Sequence, residues 1–233
     1  GVNATPASIT KAAQNIWVLG VTLTGGPADG GETLTVVPAS TAIYDKAGNA
    51  ASTSQSNNTA SLTEKILPTI TGVTSTTGNG SYKQGQTIAI TVAFSEVVNV
   101  DESGGTPQLT LETGGSDAVV DYSSGTGSNT LTFNYTIGAG HTSSDLDYKA
   151  TSSLALNSGT IRDAALNDAT LTLASPGAAN SLGANKALIV DTSVPTISGV
   201  SLNAANSELT VTFAEDVYNT NGGSGDLEVA DFA

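Results

Sequence analysis

Three short blocks of this sequence occur twice in the same order, and a chain that repeats itself at a fixed spacing folds into repeated units. Glu64-Lys65-Ile66-Leu67-Pro68-Thr69-Ile70-Thr71-Gly72-Val73 returns as Asp191-Thr192-Ser193-Val194-Pro195-Thr196-Ile197-Ser198-Gly199-Val200, an offset of 127 residues from Pro68 to Pro195. Val92-Ala93-Phe94-Ser95-Glu96 returns as Val211-Thr212-Phe213-Ala214-Glu215, and Ile43-Tyr44-Asp45-Lys46-Ala47-Gly48-Asn49 as Ile161-Arg162-Asp163-Ala164-Ala165-Leu166-Asn167. The blocks set a phase. Residues 68–194 form one complete unit, residues 195–233 match its opening part as far as about Gly115, and residues 1–67 match its closing part, with Asn15-Ile16-Trp17 on Asn129-Thr130-Leu131. The two end pieces tile one further unit. Two arrangements satisfy this. In one, the chain is a window on a longer tandem array, which suits the absence of Met even at position 1. In the other, the ends of neighbouring copies complete each other head to tail into a fibre. Isolated ends would leave half-units with bare strand edges, which are prone to associate.

Strand periodicity fills the units. Ile88, Ile90, Val92 and Phe94 alternate with Thr87, Ala89, Thr91 and Ala93, and the same alternation runs through Leu131 to Ile137, Trp17 to Leu23 and Leu209 to Phe213. Thr and Ser take many of the outward positions, where they suit a pleated surface. Turn clusters such as Thr77-Gly78-Asn79-Gly80 and Asn221-Gly222-Gly223-Ser224-Gly225 separate the runs. No long apolar pattern of helical period appears, and the stretch 178–187 has room for one short helical turn. The fold class expected is all-β: tandem antiparallel β-sandwich units arranged as a rod, with Pro68 and Pro195 stiffening the links.

Charge narrows the partners. Seven Lys and Arg stand against 21 Asp and Glu, a net charge of −14, so nucleic acid and anionic membrane are excluded as partners and cations are favoured. With no Cys there are no disulfides or thiolate sites, and a single His rules out a two-His metal site. No apolar stretch approaches the roughly 20 residues of a membrane-spanning helix, and no signal peptide opens the chain.

The acids recur in phase with the repeat. Glu64 and Asp191 each lie four residues before a linker proline, and Glu96 and Glu215 follow the strand ends at Phe94 and Phe213, with Asp216 adding a second acid. Asp45 with Asn49, and Asp163 with Asn167, form Asp-x-x-x-Asn loops. A strand end, a loop and a linker meet at one pole of a sandwich, where their oxygens suit calcium, which takes six to eight hard donors. The plainer reading of these loops is a set of Asx-turns bonded to their own backbone. Asp145 and Asp147 read either as a further pair of oxygen donors or as a solvated edge. Asp226, Glu228 and Asp231 read as an outward strand face and its flank.

These same motifs, Pro-Thr-Ile-x-Gly-Val, Phe-x-Glu and Asp45-Lys46-Ala47-Gly48-Asn49, resemble the bacterial immunoglobulin-like and cadherin-like tandem repeats of giant surface adhesins. The resemblance covers the whole chain, one full unit and two part units. It implies secretion to the bacterial cell surface, a rod-like spacer or adhesive role, and calcium between units, with Glu64, Asp191, Glu96, Glu215, Asp45 and Asp163 as ligands. Leu166, where the pattern has Gly, implies a different conformation in the second loop. The partners expected are neighbouring repeats of the same or an identical chain. The alternative function is recognition of glycan or a cell-surface protein through loops at a pole.

Enzymatic chemistry finds little support. His141 has no Gly-x-Ser-x-Gly elbow beside it and reads as an exposed loop histidine. Aromatics are only 5% of the chain, too few to line a sugar cleft, and Trp17, in phase with Leu131, is placed in the core. The Gly-rich stretches lack the lysine of a phosphate loop and read as turns. Lys149 and Lys65 are isopeptide candidates by residue type alone. The expectation is a protein that is not an enzyme.

Overall fold

The computed structural model describes residues 2–232; Gly1 and Ala233, the outermost residues of the two end pieces, lie outside the described residues. Strands take 43% of the chain and helix 3%, which makes it all-β. In chain order the elements are β1 (Asn3–Ala13), β2 (Ile16–Thr24), β3 (Thr33–Thr35), β4 (Thr59–Ser61), β5 (Ile70–Ser75), β6 (Gly80–Tyr82), β7 (Thr87–Asp101) and β8 (Gln108–Glu112). There follow β9 (Ala118–Ser124), β10 (Ser128–Thr136), β11 (Asp147–Tyr148), β12 (Leu154–Ala155), β13 (Thr160–Arg162), α1 (Leu182–Asn185), β14 (Leu188–Val190), β15 (Ile197–Leu202) and β16 (Leu209–Phe213). The short helix falls inside the stretch expected to hold one turn, and the Ser181 hydroxyl caps it by accepting from the Ala184 N–H at 3.1 Å.

Eight strands between Ile70 and Arg162 share one hydrogen-bonded network in the order β11-β8-β9-β10-β7-β13, with β12 added to β8 and β5 to β7. Two long strands change partners along their length. The first half of β7 pairs with β5 and β10 and its last residues pair with β13, while β9 pairs with β8 and then with β10. The parallel pair β6–β14 ties Tyr82 to Val190.

The alternation read from the sequence sets the burial. Ile88, Ile90, Val92 and Phe94 of β7 pack with Leu131, Phe133 and Tyr135 of β10 in one apolar cluster that runs from Val73 to Val190. Each such side chain stabilises the fold by about 1.5–3 kcal/mol on burial. Ala28 and Pro68 are the buried apolar residues outside those limits among the described residues.

The flanking strands stand differently. β1–β2, β3–β4 and β15–β16 are each two-stranded antiparallel sheets, and their apolar residues are exposed or half-exposed. Trp17, expected in the core, is 55% exposed, whereas its counterpart Leu131 is fully buried. The reason is pairing: β10 lies between β9 and β7, and β2 has β1 on one side only. The expected strand face at 226–231 is instead a 3-10 turn, Val229–Asp231, closed where the Asp231 carboxylate accepts the Glu228 N–H at 2.7 Å.

The two copies of the Pro-Thr-Ile block fold alike to the residue. Val73 pairs with Val92 and Val200 with Val211, each with a register shift just before the glycine, between Ile70 and Gly72 and between Ile197 and Gly199. The Thr69 carbonyl accepts from Ser95 N–H and the Thr196 carbonyl from Ala214 N–H, both at 2.8 Å.

Candidate functional site

The segment before Pro68 is knitted to the body that follows. Pro68 is buried, its carbonyl accepts the Thr170 N–H at 2.8 Å, and Thr69 bridges to Thr170. Upstream, Lys65 N–H donates to Ala28 and Leu62 N–H to Glu32. Gly30 lies in the left-handed region (φ 83°) so close to Glu64 that an added Cβ would sit 3.3 Å from the Glu64 Cβ. The turn from Asp29 to Glu32 thus braces Glu64 from behind, a contact with no repeated motif in the sequence to announce it.

Glu64 reaches the loop after β13. Asp163 and Asn167 are both buried there; Asp163 Oδ1 accepts the Asn167 N–H and Oδ2 accepts Asn167 Nδ2, each at 2.8 Å. Asn167 Nδ2 also donates to Glu64 Oε2 and lies 3.4 Å from the carbonyls of Glu64 and Ile66. Burial opposes ionisation of Asp163, yet hydrogen bonds with Asn167 and Glu64 outweigh it and hold its carboxyl below the ordinary range. Half-buried Glu96 is pushed the other way, first by burial and then by the charges of Asp163 and Glu64. Four of the acids and amides singled out in the sequence therefore feel one another at one place: Glu64, Glu96, Asp163 and Asn167.

The first loop is a copy of the second. Asp45 Oδ1 accepts the Ala47 and Asn49 N–H groups at 2.9 and 2.8 Å, and Oδ2 accepts Asn49 Nδ2 at 2.7 Å. These bonds, the Asn49 amide foremost, lower the Asp45 carboxyl. Gly48 has φ 87° and Leu166 φ 69°, so the expectation of a different conformation at Leu166 is corrected. The bonds from the Asx carboxylate hold Leu166 in a region that costs an L-residue about 1–2 kcal/mol.

The other candidates lie apart. Asp191 Oδ1 accepts the Ser193 N–H at 2.9 Å, and Glu215 and Asp216 follow β16. Asp191 stands to Glu215 as Glu64 stands to Glu96, but no third Asp-x-x-x-Asn loop follows them in the sequence. Buried Asp147 accepts from the Tyr148 and Gly177 N–H groups at 2.8 and 2.9 Å. A Cβ on Gly183 would lie 3.0 Å from Asp147 Oδ2 and 3.5 Å from Asp145 Oδ2, so both carboxylates lie against α1.

Among the described residues, no group of three or more His, Cys, Asp or Glu side chains converges closely enough to hold a metal ion. The oxygens gathered around Asn167 Nδ2 are the carboxylates of Glu64 and Asp163 and the backbone carbonyls of Glu64 and Ile66, all of the hard kind that calcium takes.

His141, expected on an exposed loop, is half-buried, stacks on Tyr135 and takes a 2.8 Å hydrogen bond between Nδ1 and the Tyr135 hydroxyl. It borders an open depression of about 550 Å³ with Asp117, Asp121, Asn134 and Tyr135 on its walls. Lys149 is half-exposed and ion-paired with Asp117, not buried as an isopeptide bond requires. No helix among the described residues is long and apolar enough to cross a membrane. Comparison with known proteins matched no protein family, no curated protein and no solved structure.

Proposed function

We propose that this chain is a non-enzymatic structural or adhesive segment of an extracellular bacterial surface protein, a rod of β-sandwich units with calcium at its junctions. The observation that carries the reading is the contact of the linker acid Glu64 with Asn167, in a pocket of charge shared with Asp163 and Glu96. Those residues come from a linker, a strand end and a loop, so anything that binds them together fixes the angle of the link. Burial first, and the charges of Asp163 and Glu64 second, raise the Glu96 carboxyl, and a cation at this place would relieve the part that comes from charge. Calcium there would be held by the carboxylates of Glu64, Glu96 and Asp163, with the Asn167 amide turned over to offer its oxygen in place of the nitrogen that now faces Glu64 and Asp163.

The test is a melt of the 233-residue chain in millimolar calcium, in millimolar magnesium and in excess chelator. A specific site stabilises by about 2.7 kcal/mol at a hundredfold excess over Kd, a rise of several degrees. The expected pattern is a rise with calcium that magnesium does not reproduce and that Glu96→Gln or Asp163→Asn diminishes. Equal melting in all three buffers would sink the calcium junction and leave Asx-turns and solvated charge.

A recognition role draws on the depression beside His141, whose carboxylates and amide suit sugar hydroxyls. Binding on a glycan array that Asn134→Ala removes would favour it over a pure spacer.

A further inference from the structure

We infer that Asn221 is a site of spontaneous covalent modification, converting to isoaspartate through a cyclic imide, while the fold holds the same dipeptide at Asn79 intact. The sequence contains two Asn-Gly steps, Asn79-Gly80 and Asn221-Gly222. In such a step the backbone nitrogen of the glycine attacks the side-chain carbonyl carbon of the asparagine, because glycine has no Cβ to obstruct the approach. The bond from that nitrogen to Cγ forms as the bond from Cγ to the amide nitrogen breaks, and ammonia leaves with the proton of the glycine N–H. Water then opens the five-membered ring at one of its two carbonyls. One opening gives aspartate. The other gives isoaspartate, in which the main chain runs through the side-chain carbonyl and is longer by one methylene. Nothing is oxidised or reduced, and water is the co-reactant.

Both steps are exposed, so burial does not distinguish them. Hydrogen bonding does. At the first step both reacting groups are tied to Ala187, the residue just before β14. Asn79 Oδ1 accepts the Ala187 N–H at 3.1 Å, and the Gly80 N–H donates to the Ala187 carbonyl at 3.1 Å. Gly80 also begins β6, opposite Leu188 of β14. Both bonds must open before the Gly80 nitrogen reaches the Asn79 carboxamide, which slows the reaction by roughly 10- to 100-fold. At the second step neither group is held. Asn221 and Gly222 lie in the turn between Thr220 and Ser224, where the Gly223 N–H donates to the Thr220 carbonyl and the Thr220 N–H to the Ser224 carbonyl, both at 3.2 Å. Those bonds close the turn around the Asn-Gly step and leave it out: among the described residues, the Gly222 N–H makes no backbone hydrogen bond and the Asn221 carboxamide has no partner. The product reshapes this turn. An added methylene lengthens the path that the two bonds span, and the new carboxylate adds one negative charge to the chain's −14.

This inference is independent of the repeat, of calcium and of the rod. The test holds the folded 233-residue chain in mildly alkaline buffer and digests samples with trypsin over time for mass spectrometry. Cleavage after Lys65, Lys83 and Lys186 puts Asn79 in the peptide 66–83, where it is the only asparagine, and Asn221 in the peptide 187–233, where fragmentation locates it. Labelling with an isoaspartyl methyltransferase reads the isoaspartate, which direct hydrolysis of an amide does not produce. Asn221 should convert with isoaspartate among its products, and Asn79 should lag by roughly 10- to 100-fold. A parallel incubation in urea frees both steps. There the two asparagines should convert at matching rates, because the fold and not the local sequence makes the difference. Asn221→Gln should remove the methyltransferase signal of the folded chain, since the longer side chain closes a less favourable six-membered ring, and should leave the melt unchanged as exposed turn substitutions do. Equal rates at the two sites in the folded chain, an Asn221 amide that outlasts that of Asn79, conversion to aspartate without isoaspartate, a methyltransferase signal that survives Asn221→Gln, or a difference between the sites that persists in urea would each overturn the inference.

Discussion

Leu166 and Gly48 do the same work with different means. Both occupy the fourth position of an Asp-x-x-x-Asn loop and both have positive φ, but only glycine does so without steric conflict. Leu166 offsets little of that cost by packing, being 74% exposed. Leu166→Gly should therefore stabilise the protein by about 0.5–1 kcal/mol, the relief of left-handed strain less the extra freedom glycine gains when unfolded. A melt should rise by a few degrees. A fall would mean that Leu166 makes contacts in solution that outweigh its backbone strain. The residue scale is also where the sequence was least readable. Asp-x-x-x-Asn announces its own hydrogen bonds, and those are present in both loops. The approach of Glu64 to Asn167, 103 residues apart in the chain, was visible only as a coincidence of phase.

At the scale of strands, one alternating pattern gives two outcomes according to what lies beside it. Leu131 and Trp17 occupy equivalent positions, yet one is fully buried and the other half-exposed. Leu131→Ala should cost about 2–5 kcal/mol, the range for emptying a packed aliphatic site. Trp17→Ala in dilute solution should change the main transition by less than about 0.5 kcal/mol, as exposed substitutions do. Denaturant melts of the two variants check this, and comparable losses in both would show that the hairpins belong to the same cooperative unit as the core. Period-two alternation marks β2, β7, β10 and β16 in the sequence itself, because a strand with one apolar face writes that face into every second residue. It was silent on β11, β12 and β13, which are two or three residues long and too short to show a period. It also misplaced Trp17, since alternation states which face is apolar and not whether a partner covers it.

For the molecule as a whole, the core lies between Val73 and Val190 and holds three buried tyrosines, of which Tyr135 and Tyr148 are the most enclosed. Burial pushes Tyr135 up to about 12, and burial together with the charge of Asp147 does the same for Tyr148. A phenol ionises near 10 in an unfolded chain. The folded state therefore binds these protons more tightly than the unfolded state between about pH 10 and 12, and by linkage the stability they contribute is whole below 10 and drains away as pH rises through that window. Each new phenolate would also enter a chain that already carries −14. Alkaline unfolding should accordingly fall between about pH 10 and 12, with late phenolate absorbance and loss of β circular dichroism rising together. Tyr135→Phe separates the two contributions. It removes the 2.8 Å bond to His141 and should cost about 1 kcal/mol at pH 7, yet it also removes one proton from the alkaline transition and should flatten the fall of stability with pH above 10. Were the variant to lose the same stability at every pH, the Tyr135 hydroxyl would be acting only as a hydrogen-bond partner, and its buried proton would have no part in holding the unit closed.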